Sequence, residues 1–578
     1  MSKLIKDSTS SIISHSVRAR ETAASDRLDI IEEPSQAAKP CFFILAGLIA
    51  LAGLTFFFGL GRLALIGPDE PRYAEVAREM FATGDYISPR LCGCLWFEKP
   101  ALLYWMGAGA YHLFGVNEFA ARFPSAFSAL AATLFLCHAL RRAGLSRLGP
   151  IASLVLLTSG IFIGFARAGN PDMLLAAAMT LAFVSAHIST ITKGRARLLY
   201  WMLCWAGVGA AVLAKGLVGV VFAVIILAAY FVVSGRLKSL RWRDGLSASA
   251  IFFAVAAVWH LPVIVRHGRS FIDEFFIEHH FQRYLTEVYG HPQPFYFFLF
   301  IALAGVMPWT FFLIPAAARL RSLKPRSDER DQLLSLAWIW FGVPLLFFTF
   351  SSSKLPGYLL PVFPALAIII GVEVERFWGG ERTLLLKIAG WMTALLLISI
   401  GVAFVIYLSS KSISPAGWQT ALYWGPLIAA IIATASFVAS RNRAFIIGGA
   451  AVVASVIVGS AVMLFPTLNE ELSLKTLSLQ AAAALRPGEK ITFYIKKEFA
   501  PVFYAEGRVV CGIGEGSILN ALQPEKLIPA FELNPTLIVI TPAHWMAELE
   551  VDPRFDTEFI AKQRDVYAAR VRLRPPEQ

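Results

Sequence analysis

The fold class that this sequence predicts is an α-helical integral membrane domain followed by a small α/β domain outside the membrane. Of its 578 residues 57% are hydrophobic, and the mean hydropathy is +0.61, whereas soluble domains are roughly half apolar. Apolar runs of about 20 residues, long enough to cross roughly 30 Å of hydrocarbon, recur from Pro40 to Pro466 and then stop. The stretch beyond them, about 110 residues, is long enough to hold its own core.

In chain order, residues 1–40 are polar and lack a long apolar core, which predicts a disordered cytoplasmic extension and not a cleaved signal. The membrane domain, 41–466, is expected to span near 41–66, 119–140, 149–166, 171–190, 199–213, 216–234, 246–265, 295–317, 333–351, 357–373, 385–408, 419–439 and 444–465. The apolar stretch Ala101–Gly115 is short for a span. Leaving it out puts the basic clusters at 141–147, 193–197, 235–243, 319–330 and 376–387, with Arg441 and Arg443, on the side of the N-terminus. Positive residues mark the cytoplasmic side, so about thirteen spans carry the loops 67–118, 266–294 and 351–356 and the C-terminal domain to the outside. Ala101–Gly115 is then expected to lie along the outer interface.

The formal charge of +12 resides in these short clusters. It reads as an orientation signal and not as a nucleic-acid footprint. The six cysteines have no metal-type spacing. A bridge between Cys92 and Cys94, one residue apart, would be strained. In the C-terminal domain, 467–578, an amphipathic helix near 468–485 and β-like runs at 491–496, 508–512 and 536–541 are expected. Tyr494, Tyr504 and His544 have no assigned chemistry there.

The most polar outer stretch is GPDEPRYAEVAREMFATGDYISPRLCGCLWFEKP, residues 67–100. Asp69, Glu70, Glu75, Glu79, Asp85 and Glu98 alternate with Arg72, Arg78, Arg90 and Lys99 in a chain with only 16% charged residues. Pro71 suits a first helical turn, and Tyr73, Val76, Ala77, Met80 and Phe81 fall at helical spacing. Asp69 and Glu70 precede that helix, so capping is an alternative to chemistry for either of them.

Three other outer elements carry ionisable groups: RAGNPD (167–172), FIEHHFQRY (276–284) and SSSKLPGY (351–358). Singly, each has a plain reading. Asp172 can cap a helix, Lys354 can snorkel, Tyr358 can join an aromatic belt, and Lys215 and Trp309 are ordinary interface residues. Together they bring more charge to one face than orientation requires. Arg72, Lys99 and Lys354 are of the type that binds phosphate, Glu98 with His279 of the type that binds a divalent cation, and Asp69 could serve as a base. That set suggests group transfer from a lipid-linked phosphate.

The residues GPDEPRYA (67–74), GD (84–85), FEKP (97–100) and FGVNEFAAR (114–122), with PD (171–172), EH (278–279) before QRY, and KLPGY (354–358), resemble the bacterial aminoarabinose lipid A transferase family. That family is related to the protein O-mannosyltransferases. The resemblance covers the membrane domain. It implies a GT-C glycosyltransferase fold of thirteen spans, a periplasmic active site in the inner membrane, and an undecaprenyl-phosphate-linked sugar as donor. By the same resemblance Asp69 and Asp172 are the catalytic acids, and Arg72, Lys99, Lys354 and Tyr358 surround the donor phosphate. Glu98 and His279 are the ligands of a divalent metal cation (zinc, magnesium or manganese). Glu70, His280 and Arg283 are further candidates, and His279 is preferred to His280 because it directly follows Glu278.

The implied reaction inverts the anomeric carbon, with a sugar such as 4-amino-4-deoxy-L-arabinose passing to a lipid A phosphate. The same residues would serve a protein hydroxyl or another glycan as acceptor. A lipid or solute transporter, the reading from another class, would place charges mid-span and show repeated halves with broken helices.

Overall fold

The computed structural model describes residues 38–240, 242–275, 293–496, 498–510, 520–521 and 527–574. The chain forms two units, Met1–Ala50 and Leu51–Gln578. What is described of the first is helical, the start of Ala38–Ala52.

Among the described residues nine helices are long and apolar enough to cross a membrane, or eleven when each of two bent pairs counts as one span. Shorter apolar helices cover Phe42–Phe57 and Val218–Val233. Each expected span falls on one of these elements, and the chain is a multi-pass membrane protein. Two of the expected spans, near 149–166 and 295–317, are each made of two helices that meet at a sharp bend. Leu148–Leu157 and Gly160–Ala166 meet at 69°, and Phe297–Gly305 and Thr310–Leu320 at 111°.

At the first break the hydroxyls of Thr158 and Ser159 donate back to the carbonyls of Leu154 and Val155, at 2.6 and 2.7 Å, bonds that often bend a helix. At the second, Pro308 has no N–H with which to continue the ladder. The breaks are joined: Trp309 Nε1 donates to Thr158 Oγ1 at 2.7 Å, and the Gly160 N–H to the Met307 carbonyl at 3.2 Å.

The loop that begins at residue 67 forms helix α1 (Asp69–Thr83), which ends on Gly84 at φ +69°, a conformation that glycine adopts without strain. Its stripe of Tyr73, Val76, Ala77 and Met80 is buried, as the helical spacing predicts. Against it packs α2 (Leu102–Phe114). At 13 residues α2 is about 20 Å long and does not span. The two helices touch through Gly107, where a Cβ would come within 2.9 Å of the Ala77 Cβ. Between them, β1 (Arg90–Leu91) and β2 (Cys94–Leu95) make a short antiparallel pair that leads to Glu98. Next comes α3 (Glu118–Arg142), capped by Asn117, whose Oδ1 accepts the Ala120 N–H at 2.9 Å.

The C-terminal domain is built on a five-stranded mixed sheet of β3 (Lys490–Tyr494), β4 (Asn520–Ala521), β5 (Thr536–Pro542), β6 (Phe555–Gln563) and β7 (Val566–Leu573). The strand order is β4-β3-β5-β7-β6, with β3 parallel to β4 and β5, and β7 antiparallel to β5 and β6. Of the expected β-like runs, 491–496 and 536–541 are strands. Near 508–512, the described part is a single bridge from Val509 to Ile491. The expected helix at 468–485 is divided at Ser473, into Phe465–Leu472 and Lys475–Ala484.

The domain grips the stretch that leads into α1. Asn469 accepts the Ala64 N–H at 2.7 Å and donates to the Arg62 carbonyl at 2.9 Å. Tyr504 Oη accepts the Leu65 N–H at 3.0 Å and donates to Glu118 at 3.1 Å, and Lys475 pairs with the same carboxylate. On α1, buried Glu75 receives Nε and Nη2 of Arg78 at 2.7 Å each. Gly507, at φ +72°, closes over this pair: a Cβ there would lie 2.5 Å from Glu75 Oε1.

Burial, with the charge of Glu79 beside it, lifts the Glu75 pKa from 4.5 to about 7 against the pull of Arg78. The folded protein therefore holds a proton that the unfolded chain has lost between these two values. The stability this group contributes is full below about pH 4.5 and is lost as pH rises through about 7. Thermal unfolding in detergent is expected to weaken from about pH 5 to about pH 8, by on the order of 2 kcal/mol, with Glu75→Gln flattening the profile. An identical profile in the variant would remove Glu75 as the cause.

Candidate active site

Two ion-pair clusters, built by different elements, face one cavity. In the first, Asp69 opens α1 and pairs with Arg72 one turn on, the i to i+3 spacing that puts both on one face. Arg72 Nη1 lies 3.7 Å from Glu98 Oε2, and Lys99 Nζ donates to Glu98 Oε1 at 2.9 Å. Burial opposes the charge on Arg72, but Glu98 and Asp69 outweigh it and its pKa is raised. The guanidinium stands 5.6 Å from the Trp96 ring, 5.8 Å from Tyr73 and 5.1 Å from Phe499 of the C-terminal domain.

The second cluster lies at the start of α4 (Pro171–Ile191). Asn170 caps this helix, its Oδ1 accepting the Asp172 N–H at 3.0 Å. The capping that Asp172 might have supplied thus falls to Asn170. The Asp172 carboxylate instead pairs with Lys215, the last residue of α5 (Gly194–Lys215). Lys215 Nζ also sits 4.9 Å from the centre of the Tyr358 ring. The turn carrying Tyr358 reaches Asp172 because residue 357 is glycine: a Cβ there would meet Asp172 Oδ2 at 2.9 Å.

The cavity between the clusters has a volume of about 480 Å³. Asp69, Glu98, Lys99, Asp172, Lys215 and Tyr358 line it, together with apolar side chains of α6 (Val218–Val233) and α7 (Glu329–Thr349) such as Val218, Val221, Phe222, Phe347 and Phe348. Val221 is at the same time exposed on the helix surface, so the apolar wall is continuous with the lipid-facing side. Cations, carboxylates and a greasy wall in one cavity suit an amphipathic ligand with an anionic head.

Not every candidate is placed on this wall. Glu70 is turned into a buried pair with Arg122, Nε to Oε1 at 2.8 Å and Nη2 to Oε2 at 2.7 Å, and it also accepts the N–H groups of Ile66 and Gly169. That is a fold-holding position, away from the cavity. Lys354 is buried and donates to the Ser351 carbonyl at 2.7 Å, organising its own turn. His279, His280 and Arg283 lie outside the described residues. The described chain just before them is anchored beside Glu98, with Glu274 accepting the Phe97 N–H at 3.0 Å and Phe271 and Phe275 packed around Phe97. Among the described residues no group of three His, Cys, Asp or Glu is placed to hold a metal, so they supply Glu98 alone of the two expected ligands.

Lys215, Arg122 and Phe499 are the important residues that the sequence did not single out for a role here. Asn170 before Pro171 was a legible cap signal and could have released Asp172 from that duty. Lys215 at the end of an apolar run looks like any interface lysine.

The sequence model of the dolichyl-phosphate-mannose-protein mannosyltransferase family matches residues 98–261, the stretch that holds Glu98, Lys99, Asp172 and Lys215. The undecaprenyl phosphate-alpha-4-amino-4-deoxy-L-arabinose arabinosyl transferase of Aeromonas salmonicida is 31% identical over 376 residues, 64% of this chain and 66% of that one. Its counterpart in Pectobacterium carotovorum is 32% identical over 347 residues, 60% and 61% of the two chains. This chain is similar to these transferases over the matched stretch. The match spans slightly less than two thirds of the relatives' own length.

Among solved structures, ArnT from Cupriavidus metallidurans bound to undecaprenyl phosphate superposes with a TM-score of 0.72 at 23% identity, covering 91% of this chain and 97% of that one. The Archaeoglobus fulgidus oligosaccharyltransferase gives 0.50 at 11% identity. The fold is that of the GT-C glycosyltransferases, with a small C-terminal domain carrying a β-sheet.

Proposed function

We propose that this chain is an inverting glycosyltransferase that moves a sugar from an undecaprenyl-phosphate donor to lipid A phosphate at the periplasmic face of the inner membrane. The best-supported sugar is 4-amino-4-deoxy-L-arabinose, the one in its relatives' names. The observation that carries this reading is the 480 Å³ cavity, in which Lys99, Lys215 and the carboxylates of Asp69, Glu98 and Asp172 share a wall with the apolar faces of α6 and α7. The prenyl chain lies along the apolar side, and the donor phosphate sits at Lys99, Arg72 and Tyr358.

As the acceptor attacks the anomeric carbon from the opposite face, the bond to the phosphate breaks and negative charge grows on the leaving oxygen. Lys99 and Arg72 stabilise that charge in a site partly shielded from water. Asp69, at the outer edge, holds the acceptor. A lipid A phosphate is already anionic and needs only positioning, whereas a hydroxyl acceptor would require Asp69 as base. A divalent cation held by Glu98 with His279 belongs to this reading, and would supply further charge stabilisation at the phosphate. Broken helices are one mark of the transporter alternative, but Thr158 and Trp309, where the breaks meet, do not line the cavity.

The test is mass spectrometry of lipid A from a host that makes the aminoarabinose donor and lacks its own transferase. Expression of this chain is expected to add the sugar mass. Detergent extracts should lose the transfer with EDTA and regain it with zinc, magnesium or manganese. No added mass from folded, membrane-inserted protein would overturn the choice of donor and acceptor. Reporter fusions placing 67–100 in the cytoplasm would overturn the orientation.

A further inference from the structure

We propose that the C-terminal domain completes the donor-phosphate site, with Phe499 acting as a positioning residue for Arg72; this rests on the glycosyltransferase reading above. Arg72 reaches both Asp69 and Glu98. Its guanidinium is bounded by aromatic rings of two origins. Tyr73 and Trp96 come from the first outer loop, and Phe499, at 5.1 Å, comes from the far end of the chain and is the nearest of the three. Among the described residues Arg72 Nε is buried without a hydrogen-bond partner, so the carboxylates described do not by themselves fix the orientation of the group. Ring faces attract a guanidinium and constrain its plane.

Phe499 is itself held close to α1. It directly precedes the helix Ala500–Tyr504, which packs on α1 and whose Tyr504 bonds to Leu65 and Glu118. Gly507 then closes over Glu75 and Arg78, further along α1. The domain thus contacts α1 at both Arg72 and Arg78, and its attachment sets where the phosphate-binding guanidinium points.

The experiment uses the full chain in detergent with Phe499→Leu, Phe499→Tyr and, as a control on the far edge of the sheet, Phe559→Leu. Phenylglyoxal labelling of Arg72, followed by peptide mass spectrometry, reads its confinement without any ligand. It should be about 3- to 10-fold faster in Phe499→Leu and near wild type in the other two. Binding of undecaprenyl phosphate should weaken by a similar factor, about 3- to 10-fold, in Phe499→Leu and be restored by the ring of Phe499→Tyr. KM for the donor should rise while KM for the acceptor stays. Equal labelling in wild type and Phe499→Leu overturns the inference. Faster labelling in a protein that does not bind undecaprenyl phosphate supports the positioning and overturns the donor reading instead.

Discussion

Asp69→Ala is expected to give a folded, membrane-inserted protein whose transfer is about 100-fold slower or worse. The fold should survive because the Asp69 side chain is 57% exposed, and its pair with Arg72 is of the surface kind that contributes about 1 kcal/mol or less. Transfer should not survive, because Asp69 lines the cavity with Glu98 and Lys99 and pairs with Arg72 Nη2, while Glu98 lies nearest Nη1. Initial rates of sugar transfer, measured against acceptor concentration and pH in vesicles, provide the check. Asp69→Asn then separates two roles. A carboxylate that only positions an anionic phosphate is partly replaced by an amide, which still offers hydrogen bonds, so Asn should outperform Ala. A general base is not replaced by either, and the two variants should be equally slow. Wild-type rates in Asp69→Ala would remove it from the machinery.

The features that the sequence displayed most clearly were those with a long-period signal. Helix α1 announced itself by Pro71 and the Tyr73–Val76–Ala77–Met80 stripe, and the non-spanning α2 by its length. The pairing of cavity residues was legible only through the resemblance, because Asp69, Asp172 and Tyr358 lie far apart in the chain. Local rules misjudged two acids for opposite reasons. Asp172 looked like a cap, but Asn170 performs that task two residues earlier. Glu70 looked like a second site acid, but its partner, Arg122, lies 52 positions away at the start of an apolar helix. Strands β6 and β7 were missed because FDTEFIAKQ carries Asp556, Glu558 and Lys562, and VYAARVRL carries Arg570 and Arg572, which dilute the apolar alternation. They are placed by the β6–β7 hairpin and by pairing with β5, with Phe555, Ala569 and Val571 in the core. Thr158, Ser159 and Pro308 mark where the two helices break, but the Trp309–Thr158 bond that joins the breaks crosses the bundle, and no window of sequence contains it.

The largest effect on stability is expected at Arg122. Its guanidinium is 2% exposed and bonds to both oxygens of Glu70. It also donates to the carbonyls of Leu60, Leu63 and Ala64, at 3.0, 2.5 and 2.9 Å, which closes the non-helical stretch leading into α1. Arg122→Met removes the partner of a buried carboxylate and strands those carbonyls, a change that costs about 3–5 kcal/mol for the ion pair alone. Glu70→Leu leaves the opposite charge uncompensated and should cost a similar amount. In the double variant neither charge is left buried. It should therefore be more stable than the sum of the single losses predicts, by at least about 1 kcal/mol, because the two residues touch. Thermal unfolding of the four proteins in one detergent at one pH measures that coupling. Additive losses would mean that Arg122 acts through the carbonyls of 60–64 and that Glu70 is not its essential partner. A coupled result would set Glu70 apart from Asp69, its chain neighbour: one acid builds the loop, and the other works at the cavity that the loop presents.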